Sequence, residues 1–310
     1  MIKGILAMHI LITGGTGFIG QAFINTFQGD YDFTVLTRDI TNAQRIFSNI
    51  NNNQIKFISD LSELSNSIHI DAVINLAGSP IMDKMWSAKH KHILEASRWE
   101  LTQQLVDLIS AKTLSPAVFI SGSAIGVYGR QGDSRIDEKH TEHHPEYSSH
   151  LCEHWEEIAR AACPLTRTVI LRTGIVLDKS KGALQKMELP FKLGLGGPIG
   201  KGQQYMSWIH IADMVAAINY LLQNDALHGA FNLTAPNPVT NREFSNQLAG
   251  CFGKKARFTT PTLLLRMLLG ERADLIIYGQ RVLPSRLLEA GFTFHSDSLD
   301  QAFSVIYADE

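Results

Sequence analysis

Three glycines recur at every third position, Gly14, Gly17 and Gly20, directly after the apolar run HILIT at residues 9–13. A strand that ends in such a loop and passes into a helix can hold an anion. The first glycine permits the tight turn, the second lets the backbone approach a pyrophosphate, and the third lets helix and strand pack closely. Free N–H groups and the dipole at the helix start favour the negative charge. Gly14, Thr16, Gly17, Phe18, Ile19 and Gly20 are the residues such a loop offers to a dinucleotide. A glycine-rich turn without a ligand is the blander alternative, and the flanking strand and helix argue against it.

The end of the second apolar run, FTVLTR at residues 33–38, decides which dinucleotide. An acidic residue there would bind an adenosine 2′-hydroxyl. Thr37 and Arg38 stand there instead. The guanidinium fork suits a 2′-phosphate, and the threonine can add a hydroxyl. A charge-assisted pair is worth ~1.5–3 kcal/mol, or roughly 10- to 100-fold in favour of NADP(H). Asp39 is the competing reading, a carboxylate for a ribose hydroxyl, but it comes past the expected strand end.

Other reactive side chains are less ordered. His140, His143, His144, Cys152 and His154 could suggest a metal, but the first three sit in a polar loop and no cysteine pair accompanies them, so none is expected. Arg172, Trp208 and His210 flank a glycine-rich block and could line a pocket for a polar substrate; the alternation of Trp208, Ile209 and His210 equally suits a strand with some of them in the core. The run TLLLRMLLG (262–270) reads as core or dimer packing rather than membrane contact.

The elements that must position these groups alternate. Strands are expected at 9–13, 33–38, 54–59, 71–78, 117–124 and 166–174, with helices at 18–28, 87–112 and 148–162. That pattern gives an α/β fold, a doubly wound parallel sheet covered on both faces. After Gly174 come a glycine-rich loop (193–204), a strand and helix (206–222) and a last strand (229–236). Residues 8–174 and 206–235 should form the dinucleotide-binding part, and 175–205 with 236–310 a smaller substrate-side lobe.

The chain has 310 residues, a net charge of −2 and a pI near 6.6, so nothing favours nucleic acid or an acidic membrane face. Three widely spaced cysteines suit a reducing compartment, the cytoplasm, without disulfides. No apolar run approaches the ~20 residues that span a bilayer. The start MIKGILAMHILI superficially suits a signal peptide; cleavage after it would remove the first strand, so residues 1–7 are expected to be a short extension.

Several blocks occur in order: SRWELTQQLVDLI (97–109), SGSAIGVYG (121–129), LRTGIVL (171–177), PFKLGLGGPIGKGQQYMSWIHIADMV (190–215) and GQRVLPSRLLEAGF (279–292). With the glycine spacing, they resemble the atypical epimerase-family proteins of the extended short-chain dehydrogenase/reductase superfamily, from Met8 to about Val305. The resemblance implies an NAD(P)-binding Rossmann fold with a small helical C-terminal part. With Thr37 and Arg38 selecting NADP(H), it implies contacts from Leu76, Ala77 and Gly78 in NLAG, and Arg98 approaching the cofactor phosphates. The substrate would be a small polar molecule, of the nucleotide-sugar kind. Relatives in the superfamily often dimerise through the helices expected at 87–112 and 148–162.

Active members of that superfamily use Ser or Thr, Tyr and Lys, the last two four residues apart on one helix. A base removes a hydroxyl proton while a hydride leaves the carbinol carbon. Tyrosine, with an unperturbed pKa of ~10, needs a cation to act at neutral pH. Ser123 in SGSA takes the serine's place, with Ser121 a near alternative, and Tyr147 the tyrosine's. Four residues on from Tyr147 stands Leu151, not lysine. His150 shares that helix face, but imidazole is mostly neutral at pH 7. Tyr128 in VYG is expected to be structural or substrate-lining. The expected function is an NADP(H)-dependent oxidoreductase or epimerase; the alternative is a catalytically silent NADP(H) sensor or partner-binding protein.

Overall fold

The computed structural model describes residues 7–64 and 69–308. Apart from Ala7, the expected N-terminal extension lies outside them. Seven strands form one sheet: β1 (Met8–Thr13), β2 (Tyr31–Leu36), β3 (Ile55–Ile58), β4 (Ala72–Asn75), β5 (Val118–Ala124), β6 (Arg167–Thr173) and β7 (Gly229–Leu233). Their order is 3-2-1-4-5-6-7, and every neighbouring pair is parallel. This is the Rossmann arrangement. The order reverses between β1 and β4, which opens a crevice at the carboxyl ends of those strands.

The helices are α1 (Phe18–Phe27), α2 (Ile40–Ile46), α3 (Ala88–Ser110), α4 (Tyr147–Arg160), α5 (Gly182–Lys192), α6 (Ile211–Gln223), α7 (Asn241–Cys251), α8 (Thr262–Leu269), α9 (Asp274–Ile277), α10 (Ser285–Glu289) and α11 (Leu299–Ile306). The strands read as unbroken apolar runs because both faces are covered. Ile10 and Ile12 face Phe23 and Ile24 of α1 and Ile218 and Leu221 of α6. Leu11, one step away along the strand, points to the other face with Leu105 and Ile109 of α3 and Ala159 of α4. A separate cluster of Leu177, Leu184, Trp208, Phe244, Leu248 and Phe303 fills the lower part.

The structure moves two expected boundaries. β2 begins at Tyr31 and ends at Leu36, because Tyr31 and Asp32 pair with Met8 and His9; Thr37 and Arg38 stand just beyond it. β4 ends at Asn75, and Leu76–Gly78 leave the sheet. Of the core or dimer packing expected for 262–270, the structure excludes the core. No residue of α8 is buried, and Leu263, Met267 and Leu268 keep 68, 69 and 63 % of their surface exposed. No helix among the described residues is long and apolar enough to cross a membrane.

Candidate active site

The glycine loop is tight for steric reasons that can be read atom by atom. Gly14 has φ +69°, and a Cβ there would lie 2.6 Å from the carbonyl carbon of Leu76. A Cβ on Gly20 would lie 2.4 Å from the Gly14 carbonyl oxygen. The Gly17 N–H closes the turn on that same oxygen at 2.9 Å. No side chain caps α1, and its first turn holds no acidic residue. The N–H groups of Phe18, Ile19 and Gly20 are thus the unspent donors of a helix start. The cradle fits a dinucleotide diphosphate: an added side chain would close it, and its donors point to an anion.

Arg38 is exposed and has no intramolecular partner among the described residues. Thr37 beside it is buried. Asp39 is otherwise engaged: its carboxylate accepts the Asn42 N–H at 2.9 Å and caps α2. The 76–78 backbone is set from below by a polar hub that the sequence did not reveal. Thr13 Oγ1 donates to Asn75 Oδ1 at 2.6 Å, and Asn75 Nδ2 donates to Thr102 Oγ1 at 2.8 Å. Trp155 Nε1 donates to the same threonine at 2.8 Å. Arg98 lies against this segment. It donates to the Ser79 carbonyl and the Leu94 carbonyl, each at 3.0 Å, and a Cβ on Gly78 would lie 3.0 Å from its Cζ. Burial lowers its pKa, which favours an anionic neighbour.

Ser123, at the end of β5, donates to Glu156 Oε1 at 2.8 Å. Glu156 is 1 % exposed. Arg172 Nε and Nη2 grip its two oxygens at 2.8 and 2.9 Å, and Arg160 adds a third contact at 2.7 Å. Burial alone would raise the Glu156 pKa; Arg172, Ser123 and Arg160 outweigh it and hold the carboxyl below its ordinary range. Arg172 Nη1 also donates to the Tyr128 hydroxyl at 2.8 Å, which donates to Asn232 Oδ1 at 2.8 Å. Arg172 is therefore no pocket-lining residue: it is buried inside a network that ties β5, β6, β7 and α4 together. Glu156 was missed, although one signal existed. It is a charged residue on the buried stripe of α4 that holds Leu151, Cys152, Trp155 and Ala159.

Tyr147 opens α4 as expected, but it is not hydrogen-bonded to Ser123. Its hydroxyl donates to the Lys91 carbonyl at 3.2 Å, and its ring packs on Trp86 with centroids 4.8 Å apart. Burial and the nearby Glu95 carboxylate push its pKa up, against a smaller opposing effect of Arg98. Leu151 is 1 % exposed. Lys91 comes from α3 and places its ammonium 4.6 Å from the Tyr147 ring centroid, over the face rather than on α4, while pairing with Glu271 at 2.6 Å. His150 is exposed and edges against Trp99. Ser121 is buried with only a 3.4 Å contact to the Gly122 carbonyl.

Of the remaining candidates, Trp208 is fully buried in the lower cluster. His210 caps α6, its Nδ1 accepting the Ala212 N–H at 3.2 Å. Cys152 is buried, and burial pushes its thiol up to about 12. His143 and His154 pair with Glu153 and Glu157 at 2.7 and 2.9 Å. No group of three or more metal-ligating side chains is found among the described residues. A cavity of about 620 Å³ lies beyond the loop that follows β5, lined by Arg130, Gln204, Tyr205, Arg242 and Tyr278 among others. Arg130 stacks on Tyr278 at 4.0 Å.

Comparison with known proteins gives the same outline. Residues 10–234 match the NAD dependent epimerase/dehydratase family, and residues 260–306 match a domain of unknown function, DUF1731. The chain is 37 % identical over 303 residues to the chloroplastic epimerase family protein SDR39U1 homolog of Arabidopsis thaliana, covering 96 % of this chain and 86 % of that one. It is 36 % identical over 296 residues to the epimerase family protein SA0724 of Staphylococcus aureus, covering 94 and 96 %. The crystal structure of human epimerase family protein SDR39U1 with NADPH superposes with a TM-score of 0.88 at 30 % identity, covering 98 % of this chain and 100 % of that one. With the family match spanning most of the chain, the glycine cradle has its context: this protein belongs to the NAD dependent epimerase/dehydratase family.

Proposed function

We propose that the protein binds NADP(H) in the Gly14–Gly20 cradle and acts as an oxidoreductase or epimerase on a small polar substrate. The observation that carries this reading is the pairing of a cradle shaped for a diphosphate with a free guanidinium, Arg38, one residue past Thr37 at the tip of β2. The human relative was solved with NADPH, which supports the same coenzyme here. Leu76, Ala77 and Gly78 would run beside the adenosine ribose, and Arg98 would meet the phosphates. Bound nicotinamide would supply hydride exchange. The substrate would enter from the cavity at Arg130, Tyr205 and Arg242, whose polar lining suits a small polar molecule such as a nucleotide sugar. Ser123 keeps its proton on Glu156 and offers lone pairs to a substrate hydroxyl.

A second reading has its own support: a binding protein that senses the coenzyme without turnover. Leu151 occupies the lysine's place, and burial with the nearby Glu95 holds Tyr147 in its protonated form, where it cannot take a proton. One experiment separates the two. Purified protein is titrated with NADPH by calorimetry, then assayed for NADPH oxidation across sugar nucleotides and carbonyl compounds. Binding with turnover supports the enzyme, binding without any turnover supports the sensor, and no binding defeats both.

A further inference from the structure

Lys181 is a cation near the glycine loop that none of the contacts above employs. It precedes α5 in a turn fixed by Asp178, whose Oδ1 accepts the N–H groups of Ser180 and Lys181 at 2.8 and 3.1 Å and the Ser180 hydroxyl at 2.8 Å. Gly182 then takes φ +78°, and a Cβ there would lie 2.9 Å from Cε1 of Phe18, the first residue of α1. The turn thus rests on the start of α1. Lys181 Nζ donates to Gln21 Oε1, and Gln21 Nε2 donates to the Thr16 carbonyl at 2.5 Å. The ammonium is held beside the first turn of α1 by a neutral amide, with no carboxylate within ion-pair reach among the described residues.

That is a poor place for a cation by itself. A helix N-terminus carries roughly +0.5 of an elementary charge, and α1 has neither an acidic residue in its first turn nor a side-chain cap. Two positive ends face each other across one amide. An anion between them reverses the sign of the interaction, and the Phe18, Ile19 and Gly20 N–H groups already mark where that anion goes. We propose that Lys181 is a diphosphate-binding residue, reaching over the coenzyme from the turn before α5. The proposal rests on the NADP(H) reading above. A diphosphate would give the ammonium a charge-assisted partner in place of the amide. The blander explanation is a tether, in which Lys181 only pins the turn to α1.

Calorimetric titration of the full-length protein and its Lys181→Gln and Lys181→Arg variants with NADPH and NADH tells these apart. Glutamine keeps a donor for Gln21 and removes the charge, so a tether would survive it. Because the diphosphate is common to both coenzymes, Lys181→Gln is expected to lose roughly tenfold in affinity for each. Its salt dependence should flatten, and Lys181→Arg should recover most of the loss. Lys181→Met, read in parallel with melting curves taken without nucleotide, guards against a folding defect. Unchanged affinity in folded Lys181→Gln and Lys181→Met would overturn the proposal. So would a loss confined to NADPH, which would move the contact to the 2′-phosphate. Wild-type protein that binds neither coenzyme would instead defeat the nucleotide reading before Lys181 is reached.

Discussion

Arg38 spends none of its charge on the protein, so removing it should leave the fold alone and tax only the ligand. Arg38→Ala is expected to weaken NADPH binding by roughly 10- to 100-fold and leave NADH binding nearly unchanged, as read by calorimetry. Equal loss for both coenzymes would show that Arg38 meets a group other than the 2′-phosphate. Leu151 leads to the opposite expectation. Leu151→Lys is the simplest way to restore a Tyr–Lys pair on paper. The position is 1 % exposed on the packed face of α4, and an unpaired buried ammonium costs on the order of 3–5 kcal/mol. A lower melting temperature, not a gain of turnover, is therefore expected. At this scale the sequence was legible where the chemistry is local. Gly14, Gly17, Gly20, Thr37 and Arg38 lie within one loop and just past one strand end. Glu156 escaped, and with it the network that joins Ser123, Arg172 and Tyr128, because Arg172 is 16 residues away from Glu156 and Tyr128 and Asn232 are 104 apart; no single stretch of chain displays that pairing.

The elements differ in how their ends are finished. Asp39, Ser87, Thr240 and Ser298 cap α2, α3, α7 and α11 with side-chain oxygens. α6 is capped instead by an imidazole, and that carries a pH dependence. Burial lowers the His210 pKa from its ordinary 6.5, against the smaller influence of Asp213. The folded protein therefore resists a proton that the unfolded chain accepts, and stability falls as pH drops below 6.5. Protonated Nδ1 would also lose the Ala212 N–H. Melting temperature should be level above neutrality and decline through the range below 6.5. His210→Asn, which caps without titrating, should reduce that decline. Some should remain, because burial lowers the His9 pKa too. Glu156 acts in a lower window: its depressed pKa gives stability that is present above its ordinary 4.5 and lost on further acidification. Periodicity foretold the sheet strands and the helices α1, α3, α4 and α6, but not the positions of α2, α7 and α11. It did not foretell that β4 stops at Asn75, since Gly14 meets the Leu76 backbone only through tertiary contact.

The whole molecule is less divisible than a split into a nucleotide part and an appended domain suggests. Leu287 and Phe292 fall within the stretch matched as DUF1731, yet they are buried in the same cluster as Ile10 and Phe23. Leu299 and Phe303 pack with Trp208 and Phe244. Burying each such side chain contributes about 1.5–3 kcal/mol, and a whole domain is stable by only about 5–15 kcal/mol. A chain ending at residue 259 is thus expected to lose fixed tertiary structure, seen as loss of the near-ultraviolet circular dichroism signal. A well-folded, NADPH-binding product of that truncation would refute the shared core.

The same late residues also reach the loop that follows β4. Arg272 donates to the Met82 carbonyl at 2.6 Å and to the Met85 sulfur at 2.9 Å, and Glu271 pairs with Lys91. A ribosome making this polypeptide releases the glycine loop well before this clasp. During synthesis the sheet has all its strands once Leu233 is made, yet the core around Ile10 and Phe23 and the loop after β4 still lack Phe292 and Arg272, so a chaperone can act on that exposed apolar surface before those residues emerge.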